Sequence, residues 1–252
     1  MNVTAIRTPR ITVRSHTLEA LLEVCVPTVA EGSVLAVTSK VVSLCEGDVV
    51  PVEGTDKMAL MRAQAEKYAD LPRNEYGLLF TIAHNTLIPN AGVDASNAPD
   101  VYVLWPSDIQ AVTNRIRRYI QGRFGLKNIG VIITDSTVRP LRWGAGGISL
   151  AHSGFKALRD YRGEQDLFGR IFQFETADIV GGLAAAAVLT MGEGDEQMPM
   201  ALITDVPFVV FQDHNPTADE LAALRISPHN DLYSEFFAGV SWQDGGRKAP
   251  PV

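Results

Sequence analysis

The chain has 252 residues, of which 46% are hydrophobic and 20% charged, and its net charge is −7 at pH 7. This composition excludes a chain disordered throughout, allows one large domain or two small ones, and argues against a nucleic-acid-binding surface, which needs a basic footprint. The N-terminus lacks a signal pattern, the most apolar stretch (Leu183 to Met191) is shorter than the ~20 residues of a bilayer span, and Cys25 and Cys45 lack zinc spacing, so a cytoplasmic protein with reduced, buried thiols and no membrane partner is expected.

Ser15 and Thr17 offer helix caps ahead of Leu18, Leu21, Leu22 and Cys25, an apolar stripe at helical spacing. Val34 to Thr38 is a short run of β-formers and predicts a buried strand. Thr55 to Asp70 is helix-prone. Leu78 to Ile82 and Asp100 to Trp105 predict two more strands. Ser107-Asp-Ile-Gln110 has the form of a capping box, and the helix it opens carries Ile109, Val112, Ile116, Tyr119 and Ile120 on one face and stops near Gly125. Arg115, Arg117, Arg118 and Arg123 lie on that helix and are expected to form a solvated face. Ile129 to Thr134 is the strongest strand signal, with Asp135 just past its end. Phe172 to Phe174 predicts a further strand. Thr176 to Met191 predicts a helix despite Gly181 and Gly182, which weaken it by ~1 kcal/mol each unless they permit close packing. Ala201 to Thr204 and Val206 to Phe211 are strand-like, and Thr217-Ala-Asp-Glu220 is a second capping box opening a helix through Leu224. Strands follow one another directly over 78–105 and 200–211, so mixed α/β with partly antiparallel sheets is expected rather than a doubly wound parallel sheet. Residues 1–240 are expected to form a single catalytic unit, in which a lobe boundary could fall near 99–106. Residues 243–252 read as a flexible tail.

The chemistry is carried by acids set among small residues beside apolar stretches. Three such segments are Asn90-Ala-Gly-Val-Asp94-Ala-Ser-Asn97, Ile132-Ile-Thr-Asp135-Ser136 and Met191-Gly-Glu193-Gly-Asp195-Glu196, and a fourth, Thr38-Ser39-Lys40 to Glu46-Gly47, adds hydroxyls and a cation. Hard metal ions take oxygen ligands, and phosphates take backbone N–H groups and hydroxyls. A metal-dependent, phosphate-handling enzyme is therefore the first hypothesis. Each segment also has a plainer reading: Asp135 could cap a strand-ending turn, Asp94 could sit in a polar loop, and Gly192 could be only a helix C-cap. Acids at a helix C-terminus oppose its dipole, which tilts Glu193, Asp195 and Glu196 toward a bound cation. Arg139 and Arg142 flank Pro140 close to Asp135 and would suit phosphate or carboxylate recognition, or simple surface ion pairs. The chain has no P-loop, no dinucleotide fingerprint and no nucleophile elbow, and its five histidines lack metal spacing.

Taken together, Thr38-Ser-Lys-Val-Val-Ser-Leu-Cys-Glu-Gly47, Asn90 to Asn97, Val131-Ile-Ile-Thr-Asp135 with Arg139-Pro140, Asp166-Leu-Phe-Gly-Arg170 and Met191-Gly-Glu-Gly194 occur in the order seen in coenzyme F420-0:L-glutamate ligases. The chain resembles that family over roughly residues 5 to 235. The resemblance implies GTP-dependent amide formation, joining L-glutamate to F420-0 and then adding a further γ-linked glutamate. It also implies a non-P-loop scaffold, two sites for divalent ions (Mg2+ or Mn2+), often with a monovalent K+, small-molecule substrates and an intertwined homodimer. By motif, Asp94 and Asp135 resemble ligands of one divalent ion, and Ser136 and Glu193 ligands of a second. Ser39, Lys40 and Asn97 resemble nucleotide contacts, as does the segment Thr8-Pro9-Arg10-Ile11, while Gly192 and Gly194 would keep the backbone open near phosphate. The chain departs from the family pattern at Leu44 (usually Lys), Trp105-Pro-Ser-Asp108, Ser136 (usually Thr), Leu141 and Ile179.

The mechanism implied is transfer of the GTP γ-phosphoryl group to the acceptor carboxylate, then attack of the glutamate amine on the acyl phosphate. Arg139, Arg142 or Lys40 would hold the acceptor or the phosphates. Two other readings stand beside it: ligation of glutamate to another carboxylate such as a folate-type pterin, and a nucleotide- or metal-binding protein without turnover.

Overall fold

The computed structural model describes residues 1–70 and 75–248. In chain order the first half holds β1 (Asn2–Ile6), α1 (Leu18–Cys25), β2 (Ser33–Thr38), α2 (Ser39–Glu46), β3 (Val49–Pro51), α3 (Lys57–Gln64), β4 (Lys67–Ala69), β5 (Phe80–Ala83), β6 (Thr86–Pro89), a 3-10 turn (Asn90–Gly92), β7 (Val101–Val103) and α4 (Ile109–Phe124). The second half holds β8 (Ile129–Val138), β9 (Ala145–Ser153), β10 (Leu158–Asp160), β11 (Thr176–Asp178), α5 (Ile179–Met191), β12 (Met200–Thr204), α6 (Ala218–Ala222), α7 (Ser234–Ala238) and β13 (Gln243–Asp244).

The fold is mixed α/β with partly antiparallel sheets. The larger sheet has the order β1-β12-β2-β8-β9, and its one parallel pair is β2 with β8, from Ser33 opposite Ile129 to Thr38 opposite Thr134. Alternation along β2 sends Leu35 and Val37 to one face, against α1, α2 and α4, and Val34 and Ala36 to the other, against α5. With both faces covered, the strand is apolar throughout, which is why it was visible as a continuous run. A smaller sheet, β13-β4-β5-β6, and two short ladders, β3-β7 and β10-β11, complete the described residues.

Local sequence accounts for several element ends. Thr17 caps α1 by accepting from the Ala20 N–H, Gly125 closes α4 at φ 65°, and Thr217 with Glu220 forms the expected capping box. Gly147 lets α5 approach β9, since a Cβ there would stand 2.5 Å from the Ala184 carbonyl oxygen.

Other expectations are corrected. The helix expected over 55–70 stops at Gln64, because Lys67–Ala69 finds a strand partner in β5. Asp108, not Ser107, caps α4, and the Ser107 N–H instead donates to Asp48. Asp135 lies inside β8, not past its end, because β8 continues to Val138 with β9 as its partner after β2 has ended. Residues 172–174 and 206–211 form no strand; Phe211 makes only an isolated bridge to Phe155, and the strand in the first region is β11. Residues 176–178 are therefore strand rather than helix, and α6 ends at Ala222 rather than Leu224. Arg117 is buried, not solvated, and its guanidinium donates to the carbonyls of Ile129 and Gln212 and to the Asn215 side chain. The expected tail is ordered from 243 to 248: β13 pairs with β4, and the N–H groups of Gly245, Gly246 and Arg247 donate to the end of α3 and to Glu66. Gly245 and Gly246 make that close approach possible, since a Cβ at either would collide with backbone at 63–65. Residues 249–252 lie outside the described residues.

Candidate active site

A cleft of about 850 Å³ opens where the parallel pairing of β2 with β8 ends. It is lined by residues 8–12, by 94–99, by 188 and 191–199, by Thr38, Lys40, Val41 and Leu44, and by Asp135 and Ser136 of β8. Backbone bonds stitch these distant stretches together: Thr38 N–H donates to Pro199 O at 2.9 Å, and Thr8 N–H to Gln197 O at 3.0 Å.

Asp135 sits just beyond the end of β2, beside the first turn of α2. Its Oδ1 accepts the Ser136 N–H at 2.8 Å, and its Oδ2 accepts the Ser39 hydroxyl at 3.3 Å and the indole N–H of Trp105. Burial pushes its carboxyl above the ordinary value and the Asp94 charge adds to the rise, against the three donors. Among the described residues Asp135 has no cationic partner.

Asp94 is held differently. Its Oδ2 pairs with the Lys40 ammonium at 2.5 Å, and Ser96 donates to it through both backbone and hydroxyl at 2.8 Å. Burial works to raise its carboxyl, but Lys40 and Ser96 outweigh it and hold Asp94 below the usual range. Across the cleft, Ser136 Oγ donates to Glu193 at 3.1 Å, and Asn97 Nδ2 to the Gly194 carbonyl at 3.0 Å. Gly192 does close α5, and its φ of 83° and bare Cα leave room for the Glu196 carboxylate, which accepts the Gly194 N–H at 2.8 Å.

The structure thus brings Pro9, Arg10, Ile11, Lys40, Asp94, Asn97, Asp135, Ser136, Gly192, Glu193 and Gly194 to one cleft. Ser39 is buried behind it, reaching Asp135. Arg139 and Arg142 are not among the lining residues: both are exposed in the β8–β9 hairpin turn. The sequence reading missed Ser96, although it lay inside a quoted segment, and Trp105, whose partner is thirty residues away and left no local signal. Ile11, expected as a nucleotide contact, and Leu44, expected as a departure from the family pattern, form an apolar wall of the cleft together with Val41.

The donor set is all oxygen, which suits a hard divalent cation. Asp135, part-buried and facing a second carboxylate without a cation of its own, is the feature such an ion would relieve. Among the described residues no group of three or more His, Cys, Asp or Glu could hold a metal ion. A Mg2+-like ion commonly takes only one or two carboxylates and completes its shell from phosphate and water. A second cleft, of about 770 Å³ between the smaller sheet and α7, contains none of these acids.

Residues 5–205 match the family described as F420-0:Gamma-glutamyl ligase. The chain belongs to this family. Relatives in it include the Coenzyme F420:L-glutamate ligase of Methanopyrus kandleri, 31% identical over 81% of this chain and 86% of that protein. That of Methanocaldococcus jannaschii is 32% identical over 71% and 79%, and that of Haloarcula marismortui 42% identical over 47% and 46%. No helix among the described residues is long and apolar enough to cross a membrane.

Proposed function

We propose that the chain is a GTP-dependent ligase that forms an amide between L-glutamate and the carboxylate of F420-0, and then extends the product by a further glutamate. The observation that carries this reading is the convergence of Lys40, Asp94, Asn97, Asp135, Ser136 and Glu193 on one cleft from distant parts of a chain of this family. Asp94 and Asp135 would hold one divalent ion, and Ser136 and Glu193 a second. When bound, Mg2+ or Mn2+ neutralises phosphate charge there, with K+ as a further monovalent ion.

The remaining work falls to the protein's own groups. Lys40, Asn97 and the segment Pro9-Arg10-Ile11 position the nucleotide. The backbone at Gly192 and Gly194 lies close enough to the cleft to meet phosphate oxygens. The γ-phosphoryl group passes from GTP to the acceptor carboxylate as the bond to GDP breaks, and the glutamate amine then attacks the acyl carbon, so that the amide forms as phosphate and a proton leave. Such transfer depends chiefly on positioning and charge neutralisation. Arg139 and Arg142 would reach the acceptor from the hairpin, outside the cleft wall. Val138, Leu141, Trp143, Phe168, Phe174 and Leu189 are large, apolar and exposed on the β8–β9 hairpin, the 161–175 excursion and α5. Apolar surface of this kind marks an interaction face and supports a homodimer with this hairpin in the interface.

The test is an acceptor screen. The protein is incubated with GTP, Mg2+ or Mn2+, L-glutamate and either F420-0 or a pteroate. Extension of F420-0, with phosphate release that needs both acceptor and glutamate, is expected. Extension of the pteroate alone would move the activity to another acceptor, and nucleotide binding without release would remove the enzyme reading.

A further inference from the structure

Trp105 is 3% exposed, in the loop between β7 and α4, and its Nε1–H donates to Oδ2 of Asp135. The indole has two close neighbours. His84 meets it edge-on, with ring centroids 5.5 Å apart at 61°. Gly92 lies against the ring at its Nε1 edge, where a Cβ would overlap the indole. The turn that presents Gly92 is unusual: Asn90, Ala91 and Gly92 all have left-handed φ, at 61°, 52° and 74°. Its neighbours fix it there, because Asn90 Oδ1 accepts the Leu79 N–H at 2.8 Å and the Ala91 N–H donates to Thr81 Oγ1 at 2.8 Å. Backbone held in such regions persists only where its surroundings over-determine it.

The effect falls on the Asp135 carboxylate. An ionised carboxylate offers about four acceptor positions. Trp105 and Ser39 address Oδ2 and the Ser136 N–H addresses Oδ1. The remaining position is on Oδ1, and Asp135 lines the cleft. We propose that Trp105 is a positioning residue which locks Asp135 so that it presents a single oxygen, Oδ1, to a divalent cation in the cleft. This rests on the reading of Asp135 as a cation ligand. Trp105 itself touches only the ligand's far oxygen, so it acts through Asp135. Outer partners that orient a ligand commonly contribute 10–100-fold in metal affinity.

Wild-type protein and Trp105→Phe are titrated with Mn2+ by calorimetry and by activity at saturating substrates. The variant is expected to bind Mn2+ about 10–100-fold more weakly, to need correspondingly more Mn2+ for half-maximal rate, and to recover most of kcat at saturating Mn2+. Equal Mn2+ affinity in the two proteins overturns the proposal, as does a kcat loss that no Mn2+ concentration restores. Absence of Mn2+ binding by the wild type, with or without GTP, overturns both this inference and the metal assignment beneath it, so the two failures are told apart. Should the variant fold poorly, the wild type supplies the answer. Tryptophan occurs at three positions, and in 15N-tryptophan-labelled protein one exchange-protected indole N–H resonance is expected to shift with Mg2+ and to lose that shift in Asp135→Asn. Mg2+ binding without movement of any indole resonance overturns the assignment.

Discussion

At the residue scale, the two aspartates of the cleft sit in different electrostatic surroundings. Asp94 has an ammonium at 2.5 Å and stays ionised, whereas Asp135 has only neutral donors and is raised by burial. Asp94→Asn and Asp135→Asn are each expected to abolish turnover, measured as phosphate release, with melting temperatures close to wild type. Full activity in either would remove that residue from the site. His152 gives a second residue-scale prediction, unrelated to the cleft. It is buried against Phe155, and burial pushes its imidazole down to about 4. At pH 7 it is neutral in both folded and unfolded chains. As pH falls below the unfolded value near 6.5, the unfolded chain takes up a proton that the folded chain refuses until about pH 4. Stability should therefore fall across that window, by at most about 3 kcal/mol at 1.36 kcal/mol per pKa unit. Denaturant titrations of His152→Gln should show a flatter pH dependence between those limits; an unchanged slope would mean that other groups govern it.

At the element scale, the cleft exists because β2 stops and β8 does not. β2 ends at Thr38 and the chain turns at once into α2, while β8 runs on for four residues beyond its last pairing with β2, carrying Asp135 and Ser136. The register shift between Ile133 and Thr134 lies at the same point, where a bulge re-aims side chains. α5 supports this arrangement from the other face, and its seat depends on Gly147 in β9, opposite Ser136. Gly147→Ala would drive a methyl to 2.5 Å from the Ala184 carbonyl oxygen and 2.7 Å from Val188. Overpacking of this kind commonly costs 1–3 kcal/mol, so a loss of about that size is expected in denaturant titrations. Because Ser136 faces Gly147 across the ladder, the same change should also weaken divalent-ion binding, which calorimetry would report.

At the scale of the whole molecule, large apolar side chains stand exposed in two segments. Leu141 and Trp143 are essentially fully exposed at the tip of the β8–β9 hairpin, and Leu167, Phe168 and Phe174 are nearly so in the excursion before β11. Replacing Leu141 and Trp143 together by Asp is expected to yield a 27.4 kDa monomer by sedimentation, against twice that mass for the wild type. An unchanged mass in the variant, or a monomeric wild type, would take the interface away from the hairpin.

Sequence alone determined what depends on neighbours along the chain. The apolar runs of β2 and β8, the Thr17 cap, the Thr217 capping box and the Gly125 stop are local patterns, and each was legible. So were the segments bearing Asp94, Asp135 and Glu193, because small residues around an acid are a local signal too. Their order placed the chain in its family. Only the tertiary structure decided how those acids are held. The Trp105 bond to Asp135, the Asn97 bond to Gly194 and the Ser136 bond to Glu193 join residues 30, 97 and 57 positions apart. β4 and the ordered 243–248 segment were hidden for the same reason. Their hydrogen bonds are satisfied by distant partners, and burial such as that of Arg117 is set by what the fold lays over a residue.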